Sequence, residues 1–316
     1  MCPGCQGDAR NGLTVRKVAR YDTASSPRFA TAGFRANAEV AVNGASTPTE
    51  QYLDVSGGRV HLLHAGAGEP VLFLHAAGGA GQWNEFLELL AGRFEVFAPD
   101  HPGFGGSDEL PEIEDMDDLV YHYLDLIERL GLDCPHIVGG SFGGWIGAEL
   151  AVLAPYAISS LVLLGAAGLR LPAHPVADLF LMKPPQLVDV LFHDPTKAGA
   201  VFPAEPDVDA ILAAYRDFTA LARFAWVPFM CDPKLERRLH RIVVPTLVGW
   251  ASDDRLIPVA HGHRYADLIP NARFALVGDC GHAMYFERPA EFAHITSEFL
   301  VAQSVVTGAE LSGERR

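Results

Sequence analysis

His136-Ile137-Val138-Gly139-Gly140-Ser141-Phe142-Gly143-Gly144-Trp145-Ile146-Gly147 is the stretch on which the fold turns. His136–Val138 reads as a short buried strand and Gly143–Leu153 as a helix, with the G-x-S-x-G of Gly139–Gly143 between them. A serine held on so sharp a strand-to-helix turn is strained, and the residues two before and two after it must be small. The turn also aims the next backbone N–H, that of Phe142, at the space in front of the hydroxyl. Gly144 and Gly147 let the new helix lie close on the sheet. No other serine has glycine at both flanking positions; Ser107, in Gly105-Gly106-Ser107-Asp108-Glu109, fails at Glu109.

Outward from this turn the pattern alternates. Gly58–His64, Val71–His75, Phe94–Ala98, Ser160–Leu164, Pro245–Gly249 and Phe274–Val277 read as strands. Helices are expected around Trp83–Leu90, over Asp117–Leu130 with Gly131 just past its end, and over Pro289–Leu300. Short apolar strands alternating with helices predict an α/β fold, a mainly parallel sheet covered on both faces. One connection is far longer than a crossover helix needs. It runs from Leu169 to Ile242, and Ile211, Leu212, Tyr215, Phe218 and Leu221 in it fall at helical spacing. Its aromatics are expected mostly to pack it onto the body, with a minority lining a pocket.

Composition bounds the rest. The 316 residues are 49% hydrophobic and 20% charged, with a formal net charge of -15. That charge argues against nucleic acid or an anionic membrane as partner. No apolar run is long enough to span a bilayer, and the N-terminus lacks the apolar core of a secretory signal. Cys2, Cys5, Cys134, Cys231 and Cys280 have no disulfide-framework spacing, so a cytoplasmic location is expected. Residues 1–49 read as a mobile N-terminal extension, with an arginine-bearing targeting peptide as the alternative, and residues 304–316 as a loose tail. The lone C-x-x-C of Cys2 and Cys5 belongs to that extension rather than to a metal or redox site. His61 and His64 are three apart on a strand, hence on opposite faces. His261-Gly262-His263 reads as a solvated helix start rather than a ligand pair. No nucleotide-binding glycine motif occurs; neither cofactor nor metal is expected.

Over roughly residues 52–302 the chain resembles the α/β-hydrolase family, in particular its lidded, esterase-like members, because separated motifs occur in the family's order. Besides the serine turn, His75-Ala76-Ala77-Gly78-Gly79 is similar to the oxyanion loop, and Asp100-His101-Pro102-Gly103-Phe104-Gly105-Gly106-Ser107 to the family's D-x-P-G-x-G-x-S stretch. Gly249-Trp250-Ala251-Ser252-Asp253-Asp254-Arg255-Leu256-Ile257-Pro258 resembles the acid loop, and Gly281-His282-Ala283-Met284-Tyr285-Phe286-Glu287-Arg288-Pro289 the histidine loop. The resemblance implies an eight-stranded, mainly parallel sheet with helices on both faces, a core of residues 50–168 and 243–303, and a helical lid over 169–242. It also implies Ser141 as nucleophile, His282 as general base and an acid that fixes the imidazole. The family places proline four residues after the acid, so Pro258 selects Asp254 over the adjacent Asp253. The oxyanion donors are expected to be the N–H groups of Phe142 and Ala77. Ala76 stands where the family usually has glycine; were a positive φ needed there, alanine would cost about 1 kcal/mol.

The expected activity is hydrolysis of an ester or lactone of a hydrophobic small molecule through an acyl-enzyme on Ser141. A carbon–carbon bond hydrolase of aromatic ring-cleavage products is the alternative, ranked lower because its members usually carry asparagine before the serine and tryptophan after the histidine, where this chain has Gly140 and Ala283. A small-molecule receptor on the same fold is a further alternative. For a carboxylate-bearing substrate, Arg170 and Arg223 are the evident cationic ligands.

Overall fold

The computed structural model describes residues 47–203 and 205–313. Eight strands form one sheet in the order β1-β2-β4-β3-β5-β6-β7-β8. They are β1 (Thr49–Val55), β2 (Gly58–Gly66), β3 (Pro70–Leu74), β4 (Glu95–Pro99), β5 (His136–Gly140), β6 (Ser160–Leu164), β7 (Thr246–Ala251) and β8 (Ala272–Val277). β2 pairs antiparallel with both β1 and β4, and every pairing from β4 onward is parallel. The helices are α1 (Glu85–Ala91), α2 (Met116–Leu130), α3 (Phe142–Leu153), α4 (Pro184–Leu191), α5 (Val208–Ala225), α6 (Ala260–Leu268), α7 (Met284–Glu287) and α8 (Pro289–Gly313). This is the mainly parallel α/β-hydrolase fold expected from the sequence.

Strand alternation divides the core in two. On β3, Leu72 and Leu74 join the cluster that includes buried residues of α2 and α3, whereas Val71 and Phe73 join the cluster with Phe86 and Leu87 of α1 and Phe292 of α8. Ile137 and Val138 of β5 split in the same way. Both faces are buried, which is why these strands read as continuous apolar runs. β3 lies between β4 and β5, so the chain leaves it in one direction and returns on the other side. In open α/β sheets ligands bind at such a switch point, beyond the carboxyl ends of the strands; His75 and Ser141 stand there.

Some expectations need correction. β1 was not anticipated: only Val55 of it is buried, so no apolar run marks it. Residues 1–46 of the expected extension lie outside the described residues, and Thr49 already opens β1. Of the expected tail, residues 304–313 continue α8 and 314–316 lie outside the described residues. The segment between β6 and β7 is helical, but α5 buries only Ala220, Leu221, Phe224 and Ala225. Ile211, Leu212 and Tyr215 face outward, Tyr215 with 74% of its surface exposed. Their helical spacing marks a helix without marking the face it buries. No described helix is long and apolar enough to cross a membrane.

α3 carries a buried acid, Glu149, whose carboxylate accepts from Trp145 Nε1 at 3.2 Å. Burial pushes its pKa up to about 7, so ionisation destabilises the fold as pH rises from the unfolded carboxylate range toward 7. Glu149→Gln should therefore stabilise the protein at pH 8, by on the order of 1–3 kcal/mol, and have little effect at pH 4.5. Denaturant unfolding at the two pH values measures this; equal effects at both would refute it.

Candidate active site

Ser141 sits between β5 and α3 with φ 50° and ψ -111°, a left-handed backbone for a non-glycine residue. Its N–H donates to Leu164 O, and its carbonyl accepts from Trp145 N and Ala167 N. The turn is tight enough that a Cβ on Gly143 would lie 2.1 Å from Leu74 O, and one on Gly139 2.4 Å from Gly143 O. The glycine spacing is thus a clearance requirement.

The ends of β7 and β8 bring two more groups to this place. His282 Nε2 lies 2.9 Å from Ser141 Oγ, and His282 Nδ1 lies 2.7 Å from Asp254 Oδ2. Asp254 Oδ1 accepts from the N–H groups of Leu256 and Ile257, so both carboxylate oxygens are engaged. Ser141, Asp254 and His282 are 5%, 7% and 9% exposed. Asp253 points elsewhere, accepting from Ser252 Oγ and lying 3.3 Å from His193 Nδ1. With Nδ1–H donating to Asp254, Nε2 is left to accept the serine proton.

The loop after β3 is fixed by imidazoles. Gly143 N donates to His75 O, His101 N donates to His75 Nε2 at 3.0 Å, and His101 Nε2 donates to His75 O at 2.9 Å. The two rings stack with centroids 3.6 Å apart, and His101 Nδ1 meets the Tyr123 hydroxyl. Burial lowers the pKa of both imidazoles, that of His101 most, which keeps this stacked pair neutral. Ala76 is not among the residues with positive φ, so alanine there carries no left-handed strain. The amides of Ala77 and Phe142 have no acceptor among the described residues.

Comparison with known proteins supplies the family. The family model described as "Alpha/beta hydrolase family" matches residues 71–295. The chain belongs to the alpha/beta hydrolase family. A 2-hydroxy-6-oxo-6-(2'-aminophenyl)hexa-2,4-dienoic acid hydrolase of Metapseudomonas resinovorans is 29% identical over 86% of this chain and 97% of the relative. A 2-hydroxy-6-oxononadienedioate/2-hydroxy-6-oxononatrienedioate hydrolase of Paraburkholderia phymatum is 30% identical over 80% and 96%. Among solved structures, a serine hydrolase involved in carbazole degradation is 26% identical, with a TM-score of 0.66, over 81% of this chain and 99% of that one. This alpha/beta hydrolase is accordingly a serine hydrolase.

Several residues that organise the hydrolase site carried no role in the sequence reading. Asp100 accepts from Gly81 N and Gly106 N and holds His61 Nδ1, joining three segments with one carboxylate. Glu287 accepts from Gly281 N, His193 N and Asp194 N, tying the histidine loop to the segment between β6 and β7. Asp217 of α5 accepts from Gly105 N, a second tie to that segment. The D-x-P-G-x-G stretch named Asp100, but its partners are distant in sequence. His61 also meets Glu50, and His64 meets Glu95. His261 is fully buried, with Nε2 on His174 O, and not the solvated residue expected. The segment between β6 and β7 supplies that partner. Arg223 donates to Leu110 O and Ile113 O, whereas Arg170 makes no ion pair among the described residues.

Asp254→Asn should lower kcat by up to about 10⁴-fold, because an amide stabilises the wrong imidazole tautomer. Asp253→Asn should lower it less than about 10-fold, since its side chain accepts only from the exposed Ser252 hydroxyl among the described residues and does not reach His282. Steady-state kinetics of the two variants decide, and the reverse order would move the acid to Asp253.

Proposed function

We propose that this hydrolase cleaves a carbon–carbon bond of a 2-hydroxy-6-oxo-dienoate, the type of compound formed by aromatic ring cleavage, with Ser141, His282 and Asp254 as its catalytic triad. The reading that the sequence ranked second thus moves ahead of ester or lactone hydrolysis. The observation that carries it is the pair of dienoate hydrolases that match this chain along nearly their whole length, 97% and 96%.

Elementary chemistry gives each residue a task. Ketonisation of the 2-hydroxy-dienoate makes the carbon next to the 6-oxo group a competent leaving group, because its electron pair can spread to the 2-oxo oxygen. His282 Nε2 takes the proton of Ser141 Oγ, and the oxygen attacks the 6-carbonyl carbon. The N–H groups of Phe142 and Ala77 hold the resulting oxyanion. The carbon–carbon bond breaks, the electron pair passes into the conjugated acid, and the imidazolium proton quenches it. Water, deprotonated by His282, then hydrolyses the acyl group from Ser141 and restores the triad.

The segment of residues 169–242 acts as the lid, held by Asp217 and Glu287. The substrate carboxylate is assigned to Arg170, an exposed cation that lines a cavity of about 410 Å³ with Leu169, Val176, Phe229 and His261, a cavity to which Ser141, Asp254 and His282 do not themselves contribute. The apolar remainder of the ring-cleavage product suits the aromatic group of Phe180, Phe218, Trp226 and Phe229, whose ring centroids lie 4.9–5.9 Å from that of Phe180.

The test is a panel of purified enzyme against a 6-aryl dienoate and aryl esters from acetate to hexanoate. The dienoate should be the better substrate by kcat/KM, Ser141→Ala should lose on the order of 10³-fold or more, and Arg170→Leu should raise KM for the dienoate while leaving neutral esters unaffected. Fast ester turnover with an intact dienoate would return ester hydrolysis to first place.

A further inference from the structure

The stretch that returns the chain to β7 is apolar on one side and basic on the other. Leu235, Leu239 and Ile242 are fully buried. Around them Lys234, Arg237, His240 and Arg241 are exposed and Arg238 is half-buried. The two short turns of Leu235–Arg237 and Leu239–Arg241 therefore hold their cations away from the core. These cations form one wall of a cavity of about 610 Å³, and Glu149, Val152 and Leu153 of α3 with Asp117 and Val120 of α2 form the rest. The cavity shares no residue with the one beside Arg170. It lies at the far end of α3 from Ser141, and the twelve residues of that helix put it about 18 Å away.

Its charge is the reverse of the molecule's. The chain carries a formal net charge of -15, yet Lys234, Arg237, Arg238, Arg241 and His240 face only Asp117 and Glu149 across this cavity. Arg238 is already engaged, with Nη1 3.2 Å from Asp232 Oδ2 and 3.9 Å from Glu149 Oε2. Lys234, Arg237 and Arg241 make no ion pair among the described residues. The carbonyl end of α3 supplies about half a negative charge and Asp117 one more, which together do not balance three cations. A concave wall of like charges over a low-dielectric core focuses its field into the cavity, where an anion is attracted more strongly than on an open surface.

We propose that this cavity binds a small soluble anion carrying two neighbouring phosphate groups, held by Lys234, Arg237 and Arg241. A guanidinium offers paired N–H donors that match phosphate oxygens, and an ammonium adds a compact charge. Lys234 and Arg241 are seven residues apart, about 10–14 Å of chain at 1.5–2.0 Å per residue, so two phosphates engage all three cations better than one. The ligand binds at a distance from the triad, alongside the hydrolase substrate and not in its place, whichever bond that substrate offers.

The experiment is calorimetric titration of the full chain with pyrophosphate at an ionic strength of about 0.1 M, where long-range attraction between exposed charges is largely screened. The wild type should bind one equivalent. Arg237→Gln with Arg241→Gln should weaken binding at least about 10-fold. Arg129→Gln with Arg273→Gln removes the same charge from exposed positions elsewhere and should change it less than about 2-fold. Pyrophosphate should also raise the thermal midpoint of the wild type and of this control, but not of the cavity variant. Should the cavity variant fail to fold, Lys234→Gln replaces it, with an expected loss of about 3-fold or more. Absence of binding by the wild type, or equal weakening in the cavity variant and the control, would overturn the inference. So would tighter binding of citrate than of pyrophosphate, which would make the site one for carboxylates. Sedimentation with phosphatidylglycerol vesicles without pyrophosphate binding would likewise overturn it, in favour of a lipid surface.

Discussion

One backbone constraint governs the site: the chain must leave β5 and enter α3 within a single residue. Ser141 meets it by taking a left-handed conformation, which for such a residue costs of order 1–3 kcal/mol. The strain persists because the surroundings over-determine it, with Leu164 O, Trp145 N and Ala167 N all bonded to the Ser141 backbone. The same turn presses α3 onto β3, where a Cβ on Gly143 would lie 2.1 Å from Leu74 O. That closeness lets Gly143 N reach His75 O. The loop expected to donate to the oxyanion is thereby set against the serine turn through one peptide group, and a shift in α3 would disturb both.

Irregular loops must still satisfy their backbone groups, and here three carboxylates do so. Asp100, Asp254 and Glu287 each accept at least two main-chain N–H groups. A carboxylate suits this task because it accepts several hydrogen bonds and has no donor of its own to satisfy. Asp254 is the one of the three whose remaining contact leads, through His282, to Ser141. Glu287 and Asp217 bind the segment between β6 and β7 to the two loops that flank the serine, so movement of that segment would be felt in both.

What the sequence disclosed and what it concealed divide along one line. The serine turn was legible because its glycine requirement lies within five consecutive residues, and the acid and histidine loops because their prolines and glycines stand at fixed short spacings. α2 was legible from its period and from Gly131, which caps it at φ 67°. β1 was not, since a strand that buries only Val55 leaves no apolar pattern. The buried face of α5 was not, since Ile211 and Leu212 have the right spacing and the wrong side. The role of Glu287 was hidden because its partners His193 and Asp194 lie more than ninety residues away. His261 looked solvated because His174, which covers it, belongs to the distant segment.

The same distinction bears on the substrate. Read along the chain, Gly140 and Ala283 are missing side chains, and they count against carbon–carbon cleavage. In space the bare position at Gly140 is not bare, because Tyr285 occupies it with a polar atom. Esters and ring-cleavage ketones make the same first demand, a serine, a base and oxyanion donors. They differ in what leaves: an alkoxide carries its charge on one oxygen, which His282 can protonate directly, whereas a carbon leaving group must delocalise its electron pair into a conjugated acid some distance away.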